Sequence, residues 1–223
     1  MNIKSQNIIT SNIFKKIERA GVVAVIVLDE LKHTLPLTEA LLAGGVNAIE
    51  LTLRTPVALD AARIIKKEVP EMMLGFGTVL NIDQVKAVVD VGADFAFAPG
   101  CNQRIIEASI KHGLTFVPGV MTPTDIEMAI ELGCRYLKFF PAESSGGMKH
   151  LTSMSAPYNY LGLQFIPLGG INIGNAKKYL ESPLIPAVGG SWIAKRGLIQ
   201  NEDWSTITKN AKEIRNLITQ IKD

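Results

Sequence analysis

Three charged residues stand inside strand-like apolar runs: Glu50 and Arg54 in AIELTLR, and Lys138 in YLKFFP. Side chains of an extended segment alternate between faces, so Glu50, Thr52 and Arg54 are expected on one side, with Ile49, Leu51 and Leu53 on the other. The same alternation sets Lys138 against Leu137 and Phe139. A charge in an apolar interior is costly unless it is paired or changes its protonation, so an acid and an amine kept there point to chemistry. An amine in a low-dielectric pocket can attack a ketone to form a Schiff base, and a carboxyl group beside it can move protons. The competing structural readings turn Lys138 outward, its stem lying along apolar surface, and make Glu50 an ion-pair partner without a chemical role. The apolar neighbours of both residues favour the inward, reactive reading.

Such residues need strands to hold them, and strand-like runs recur along the whole chain. They begin at Val22, Ala48, Leu74, Phe95, Thr115, Tyr136, Gln164 and Pro186. Between them, apolar residues at helical spacing predict helices over Leu35 to Ala43, Val57 to Lys67, Ile82 to Val91, Arg104 to His112 and Thr124 to Leu132. Gly92, Gly113 and Gly133 stand where left-handed helix ends are expected. Eight strand–helix units in 223 residues fit a single-domain (β/α)8 TIM barrel over residues 1–223 better than an open sheet. A doubly wound sheet would place a glycine-rich turn after the first strand, and VVAVIVLDELKH has none. SNIFKKIERAG predicts an N-terminal capping helix with Ile13, Phe14 and Ile17 on its apolar face. Trp204, Ile207, Ala211, Ile214, Leu217, Ile218 and Ile221 form the stripe of a terminal amphipathic helix.

In a barrel of this kind the active site lies at the C-terminal strand ends, where Arg54, Thr78, Pro99, Lys138, Phe140, Gly169, Gly170, Gly190 and Ser191 cluster. Two of those ends are glycine pairs, in PLGGINIGN and AVGGSW, after the seventh and eighth runs. One such pair is most simply a tight turn. Two at these positions predict a phosphate site built from backbone N–H groups and helix N-termini. Together the residues describe a pocket for a phosphorylated, ketone-bearing small molecule.

Composition narrows the alternatives. A net charge of +2 gives no basic surface for nucleic acid, and no apolar run reaches membrane-spanning length. The N-terminus lacks the basic–apolar–small progression of a secretory signal, so a cytoplasmic protein is expected. Cys101 and Cys134 fit no metal or redox spacing and are expected to be buried and inert. His33, His112 and His150 fall away from the strand ends and read as surface or capping residues, leaving no metal site.

GVNAIELTLR, GFGTVLN and GCRYLKFFPAESSGG, followed by PLGGI and VGGSW, resemble the 2-keto-3-deoxy-6-phosphogluconate (KDPG) aldolases, a family that also cleaves 4-hydroxy-2-oxoglutarate. The matching segments run from Val22 to Trp192. The resemblance implies a metal-independent class I aldolase without cofactor, a cytoplasmic homotrimer splitting KDPG into pyruvate and glyceraldehyde 3-phosphate. It implies Lys138 as the Schiff-base lysine and Glu50 as the general acid and base, relaying protons through a water. It further implies Arg54 and Thr78 at the substrate carboxylate, Pro99 and Phe140 as walls, and Gly169, Gly170, Gly190 and Ser191 at the phosphate. Three positions depart from the family pattern: Leu168 where Thr is frequent, Phe76 where Ala is usual, and Ala98 where Ser is common. Leu168 cannot bond a substrate hydroxyl, so the galactonate-derived epimer is an alternative substrate, and the other two are expected to reshape the pocket. The remaining rivals are a metal-dependent aldolase, a sugar-phosphate isomerase or epimerase, which would not need Lys138, and a non-catalytic phosphate-binding barrel.

Overall fold

The computed structural model describes residues 3–222, with side chains described from Asn12 onward. Every one of the eight strand-forming runs becomes parallel strand: β1 (Val22–Ile26), β2 (Ala48–Thr52), β3 (Met73–Gly77), β4 (Phe95–Phe97), β5 (Phe116–Val117) with β6 (Gly119–Val120), β7 (Tyr136–Phe139), β8 (Gln164–Pro167) and β9 (Val188–Gly190). Nine segments arise from eight runs because Pro118, which has no N–H to give to a ladder, splits the fifth. The strands bond into two sheets, ordered β5-β4-β3-β2-β1-β9 and β6-β7-β8. The chain passes from one sheet to the other through Pro118, whose carbonyl still accepts from Lys138 N at 2.8 Å. At the other junction β8 lies against β9 without a ladder, flanked by Pro167 and Pro186.

Between strands the chain returns through α2 (Thr34–Ala43), α3 (Ala58–Glu68), α4 (Ile82–Asp90), α5 (Gln103–Lys111), α6 (Pro123–Glu131), α7 (Gly147–Ser155) and α8 (Ile173–Leu180), and after β9 it forms the short α9 (Arg196–Gln200). The expected glycine ends of α4, α5 and α6 are present, with φ of 80°, 73° and 84° at Gly92, Gly113 and Gly133. Helix starts follow strand ends closely because polar caps stand there. Thr122 and Asp125 form a reciprocal capping box that launches α6, and Asn172 and Asn175 form one that launches α8.

Strands covered on both faces are apolar nearly throughout. Alternation therefore divides the core into two layers. Val22, Ala24 and Ile26 of β1 pack toward the helices, in one continuous cluster with residues such as Leu41, Ile65, Val85 and Ile126. Val23 and Val25 turn the other way and meet Ala48, Met73, Phe95, Phe97, Val117, Ile166, Leu168 and Ala187 in the interior between the sheets. The N-terminal helix α1 (Ile3–Ala20), longer than its apolar pattern suggested, seals one end of that interior with Ile13, Phe14, Ile17 and Ala20, and Phe14 stacks on Tyr136. At the chain's other end α10 (Trp204–Lys222) buries Ile207, Ala211, Ile214 and Ile218 of its expected stripe. Among the described residues no helix is long and apolar enough to cross a membrane.

Ile17 is fully buried in this seal. Ile17→Ala should therefore lower unfolding free energy by about 2–5 kcal/mol, the usual cost of an aliphatic truncation that leaves a cavity. Equilibrium urea unfolding gives the number, and a loss below about 1 kcal/mol would show that α1 is not part of the core.

Candidate active site

Ala48, Glu50 and Thr52 occupy the interior face of β2, and all three are buried. Lys138, at the middle of β7, faces the same interior from the other sheet. The two meet across it, with Lys138 Nζ 3.5 Å from Glu50 Oε1 and the residues only 5% and 1% exposed. Space for the carboxyl group comes from β3. A Cβ on Gly77 would lie 1.8 Å from Glu50 Oε1, so a side chain there and Glu50 in this position exclude each other. The rings of Phe97 and Phe140 stand 5.6 and 5.0 Å from Lys138 Nζ, walling the amine with aromatic faces.

This geometry bears on both readings of the pair. The outward orientation of Lys138 is excluded by its burial. A structural ion pair at such depth would be expected to satisfy both carboxylate oxygens, since desolvation is offset only when remaining lone pairs are bonded. Here there is one long contact, and Glu50 Oε2 is buried with no hydrogen-bond partner among the described residues. An amine among aromatic rings and a carboxylate oxygen free to accept a proton suit nucleophilic addition with proton transfer.

The other expected site residues sit at strand ends around the pair, and one differs from expectation. Arg54 does not continue the Glu50 face of β2. The strand ends at Thr52, whose hydroxyl donates to Ile26 O at 3.0 Å, and Arg54 follows in an exposed turn. Among the described residues nothing pairs with its guanidinium. Leu53 N donates to Gly77 O, so this turn lies beside the end of β3, where Thr78 follows. Thr78 has φ of 62°, a left-handed conformation that a β-branched residue adopts at a cost of about 1–3 kcal/mol and that is most often kept at functional sites. Pro99, exposed after β4, has its carbonyl carbon where a Cβ on Gly119 would come within 2.3 Å.

Phe140 follows β7 and lies over Gly169, whose absent Cβ would stand 3.2 Å from the ring. Gly169 and Gly170 both have positive φ, 91° and 82°. Gly190 ends β9 beside Ile171, whose carbonyl is 3.3 Å from where its Cβ would be, so the two glycine pairs adjoin. Ser191 is exposed next to them. Among the described residues no hydrogen bond or ion pair joins Arg54, Thr78, Pro99 or Ser191 to the Lys138–Glu50 pair itself.

Leu168 is buried in the interior layer against Gly189, as its position before the glycine pair requires. The expected reshaping by Phe76 and Ala98 does not occur, because both pack in the outer layer toward the helices. His33 is not a surface histidine. It is 2% exposed, packs on Trp204 and holds Glu202 Oε1 at 3.2 Å. His112 caps α5, and His150 on α7 contacts the Met121 carbonyl. Cys101 and Cys134 are half-buried, and burial pushes their thiols up to about 11 and about 12, so neither is a nucleophile at neutral pH. Among the described residues no three His, Cys, Asp or Glu side chains converge.

Sequence reasoning passed over Glu143, Asn172, Asn175 and Tyr179, which surround the first glycine pair, and Gly77 as the residue that makes room for Glu50. The NIGN spacing of a capping box was the available signal for the two asparagines. A concavity of about 560 Å³ opens at the opposite end, beside Lys16, Arg19, Lys66 and Asp94. Its Lys16 is exposed and its Lys66 is paired with Asp94 at 3.1 Å, so it has no buried amine for covalent chemistry.

Comparison with known proteins places these features in a group. A family model described as KDPG and KHG aldolase matches residues 13–210. The KHG/KDPG aldolase of Escherichia coli K12 is 40% identical over 192 residues, 86% of this chain and 89% of the relative. A 2-dehydro-3-deoxy-phosphogluconate aldolase of Treponema pallidum is 35% identical over 206 residues, 92% of this chain and 97% of the relative. Among solved structures, a KDPG aldolase from Legionella pneumophila, with pyruvate captured as a covalent carbinolamine intermediate, superposes with a TM-score of 0.85 at 37% identity, covering 91% of this chain and 96% of the other. One from Zymomonas mobilis with 3-phosphoglycerate gives 0.84 at 38%, covering 90% and 93%.

Breaking the buried pair should cost more than replacing it. Lys138→Met leaves Glu50 without its partner and should lose about 3–5 kcal/mol, whereas Lys138→Met with Glu50→Leu should recover most of that loss. Urea unfolding at pH 7 compares them, and a single variant as stable as the parent would show the two groups to be energetically independent.

Proposed function

Since the chain belongs to the KDPG and KHG aldolase family, we propose that it cleaves 2-keto-3-deoxy-6-phosphogluconate to pyruvate and glyceraldehyde 3-phosphate through a Schiff base on Lys138. It is a lyase of the class I type, in which a protein amine is the electron sink. The observation that carries this reading is the buried Lys138–Glu50 contact with one oxygen of Glu50 unpartnered.

The steps follow from that pair. Lys138, as the neutral amine, adds to the C2 carbonyl of the substrate, and a proton from Glu50 helps the resulting carbinolamine lose water. The iminium nitrogen then draws electrons from the C3–C4 bond while Glu50 accepts the proton of the C4 hydroxyl, releasing the aldehyde and leaving an enamine. Protonation at C3 and hydrolysis return pyruvate and free Lys138. A water between Glu50 and the substrate extends the reach of a carboxyl group that is fixed on a strand.

Around this centre, Arg54 and Thr78 hold the substrate carboxylate. A guanidinium free of other partners at the mouth of the interior supports that role. Pro99 and Phe140 wall the pyruvyl part, and Gly169, Gly170, Gly190 and Ser191 receive the phosphate. The two sheets close into one (β/α)8 barrel, a single domain over residues 1–223, a reading supported by β8 lying against β9 and by an interior cluster drawn from both sheets. A cytoplasmic homotrimer rests on resemblance to the family. 4-Hydroxy-2-oxoglutarate, which lacks the phosphate, is a second substrate of the same centre. Leu168 supports a further reading, cleavage of the galactonate-derived epimer, because its methyl groups make no hydrogen bond that would favour one C4 configuration. Pyruvate release from both epimers, measured side by side, separates these two.

Glu50→Gln keeps the shape of the side chain but cannot accept a proton, so cleavage should fall by about 10²–10⁴-fold. Prolonged incubation with pyruvate and borohydride should still label Lys138, located by peptide mass mapping. An adduct confined to another lysine, or near-parental cleavage by the variant, would remove this mechanism.

Arg54→Lys replaces a planar fork by a point charge and should raise KM for every 2-keto acid substrate, phosphorylated or not. Steady-state kinetics on both kinds of substrate check this. A defect restricted to phosphorylated substrates would assign the carboxylate to another group.

A further inference from the structure

The loop after β8 is held on one edge only. Three consecutive carbonyls are anchored: Leu168 O accepts from Ala142 N at 2.7 Å, Gly169 O from Glu143 N at 3.0 Å, and Gly170 O from the side-chain amides of Asn172 and Asn175 at 3.2 and 3.0 Å. A trans peptide is planar, with its N–H pointing opposite to its C=O. Anchoring these carbonyls therefore sets the N–H groups of Gly169, Gly170 and Ile171 on the other edge. None of the three has an acceptor among the described residues. The positive φ of both glycines lets successive N–H groups converge instead of alternating, the backbone arrangement that forms an anion-binding concavity.

The anchor is itself braced. Asn175 Oδ1 accepts from Asn172 N at 2.8 Å, and Asn172 Oδ1 accepts from Gly174 N at 2.9 Å, so both amide groups are oriented by the start of α8 and turn their NH2 ends to Gly170 O. Glu143 accepts from the buried Tyr179 hydroxyl, and Lys178 Nζ lies 3.4 Å from its carboxylate. Its backbone and side chain lie directly on the loop, for a Cβ on Gly170 would come 2.7 Å from Glu143 Cβ. The hydroxyl of Tyr179, followed by Lys178, holds the Glu143 carboxyl group below its ordinary range. It is thus an anion next to a proposed anion site, compensated by Lys178.

We infer that Asn172 and Asn175, which pin the Gly170 carbonyl, and Glu143, whose backbone N–H pins the Gly169 carbonyl, are positioning residues that aim the backbone N–H groups of Gly169, Gly170 and Ile171 at the phosphate of the substrate. They touch neither the reacting carbons nor the phosphate. The inference rests on the phosphate reading proposed above and adds the side chains on which that reading depends. Specificity for a phosphorylated substrate then resides partly in two amides that face away from it.

The test replaces Asn175 in two ways. Asn175→Ala removes one donor without adding charge. Asn175→Asp keeps the shape and the capping oxygen but turns an acceptor toward Gly170 O, so it carries the test even if the alanine variant fails to fold. A lost hydrogen bond of ordinary strength corresponds to about tenfold in binding. KM for KDPG and the inhibition constant of inorganic phosphate should both rise about tenfold, while kcat for KDPG and both constants for 4-hydroxy-2-oxoglutarate stay within about twofold. An unchanged KM for KDPG, or an equal loss on both substrates, would overturn the positioning role. If inorganic phosphate fails to inhibit the unaltered enzyme, the phosphate reading itself has failed and the inference falls with it.

Discussion

The structure is organised around the cost of keeping an amine-bearing side chain and a carboxyl group out of water, facing each other across an apolar interior. Neither residue can be reached by simple hydrophobic packing, and each survives there because its neighbours were made small or flat. Gly77 gives up a side chain so that Glu50 has room, and Phe97 and Phe140 turn ring faces to Lys138. The remaining layers are ordinary: aliphatic residues face helices on one side of each strand and fill the interior on the other. The pair sits between rigid strands of two sheets, so its separation is fixed by the whole fold and not by one loop.

Much of this was readable before any coordinates. Glu50 and Lys138 announced themselves because alternation in a strand is strict, and a charge at an interior position is rare enough to demand a reason. The glycine helix ends at Gly92, Gly113 and Gly133 were readable for a similar reason, since few residues tolerate that backbone. Arg54 was misplaced because periodicity tells which face a residue would take but not where a strand stops. The Thr52 hydroxyl bond to Ile26 and the turn that follows belong to tertiary structure. The split at Pro118 was not anticipated, although a proline inside the apolar run TFVPGV is a signal for an interrupted ladder.

Residues that act through others were the least legible. Glu143 stands in GCRYLKFFPAESSGG, yet its partners Lys178 and Tyr179 lie more than thirty residues away, and no local pattern links them. Asn172 and Asn175 have the spacing of a capping box, which explains their presence without reference to Gly170. A residue with an adequate local explanation hides a second task. His33 was missed in the opposite way, as its burial against Trp204 depends on a helix at the far end of the chain.

The seal formed by Ile13, Phe14 and Ile17 makes the interior a blind well. With that end closed, the route between Lys138 and solvent lies on the side of the strand ends, where the glycine pairs stand. On the proposed Schiff base the three-carbon fragment stays tethered to Lys138 while the aldehyde departs ahead of it. A helix remote from the chemistry thus decides by which end of the interior the aldehyde leaves, while the order in which the two products leave is set by the covalent tether.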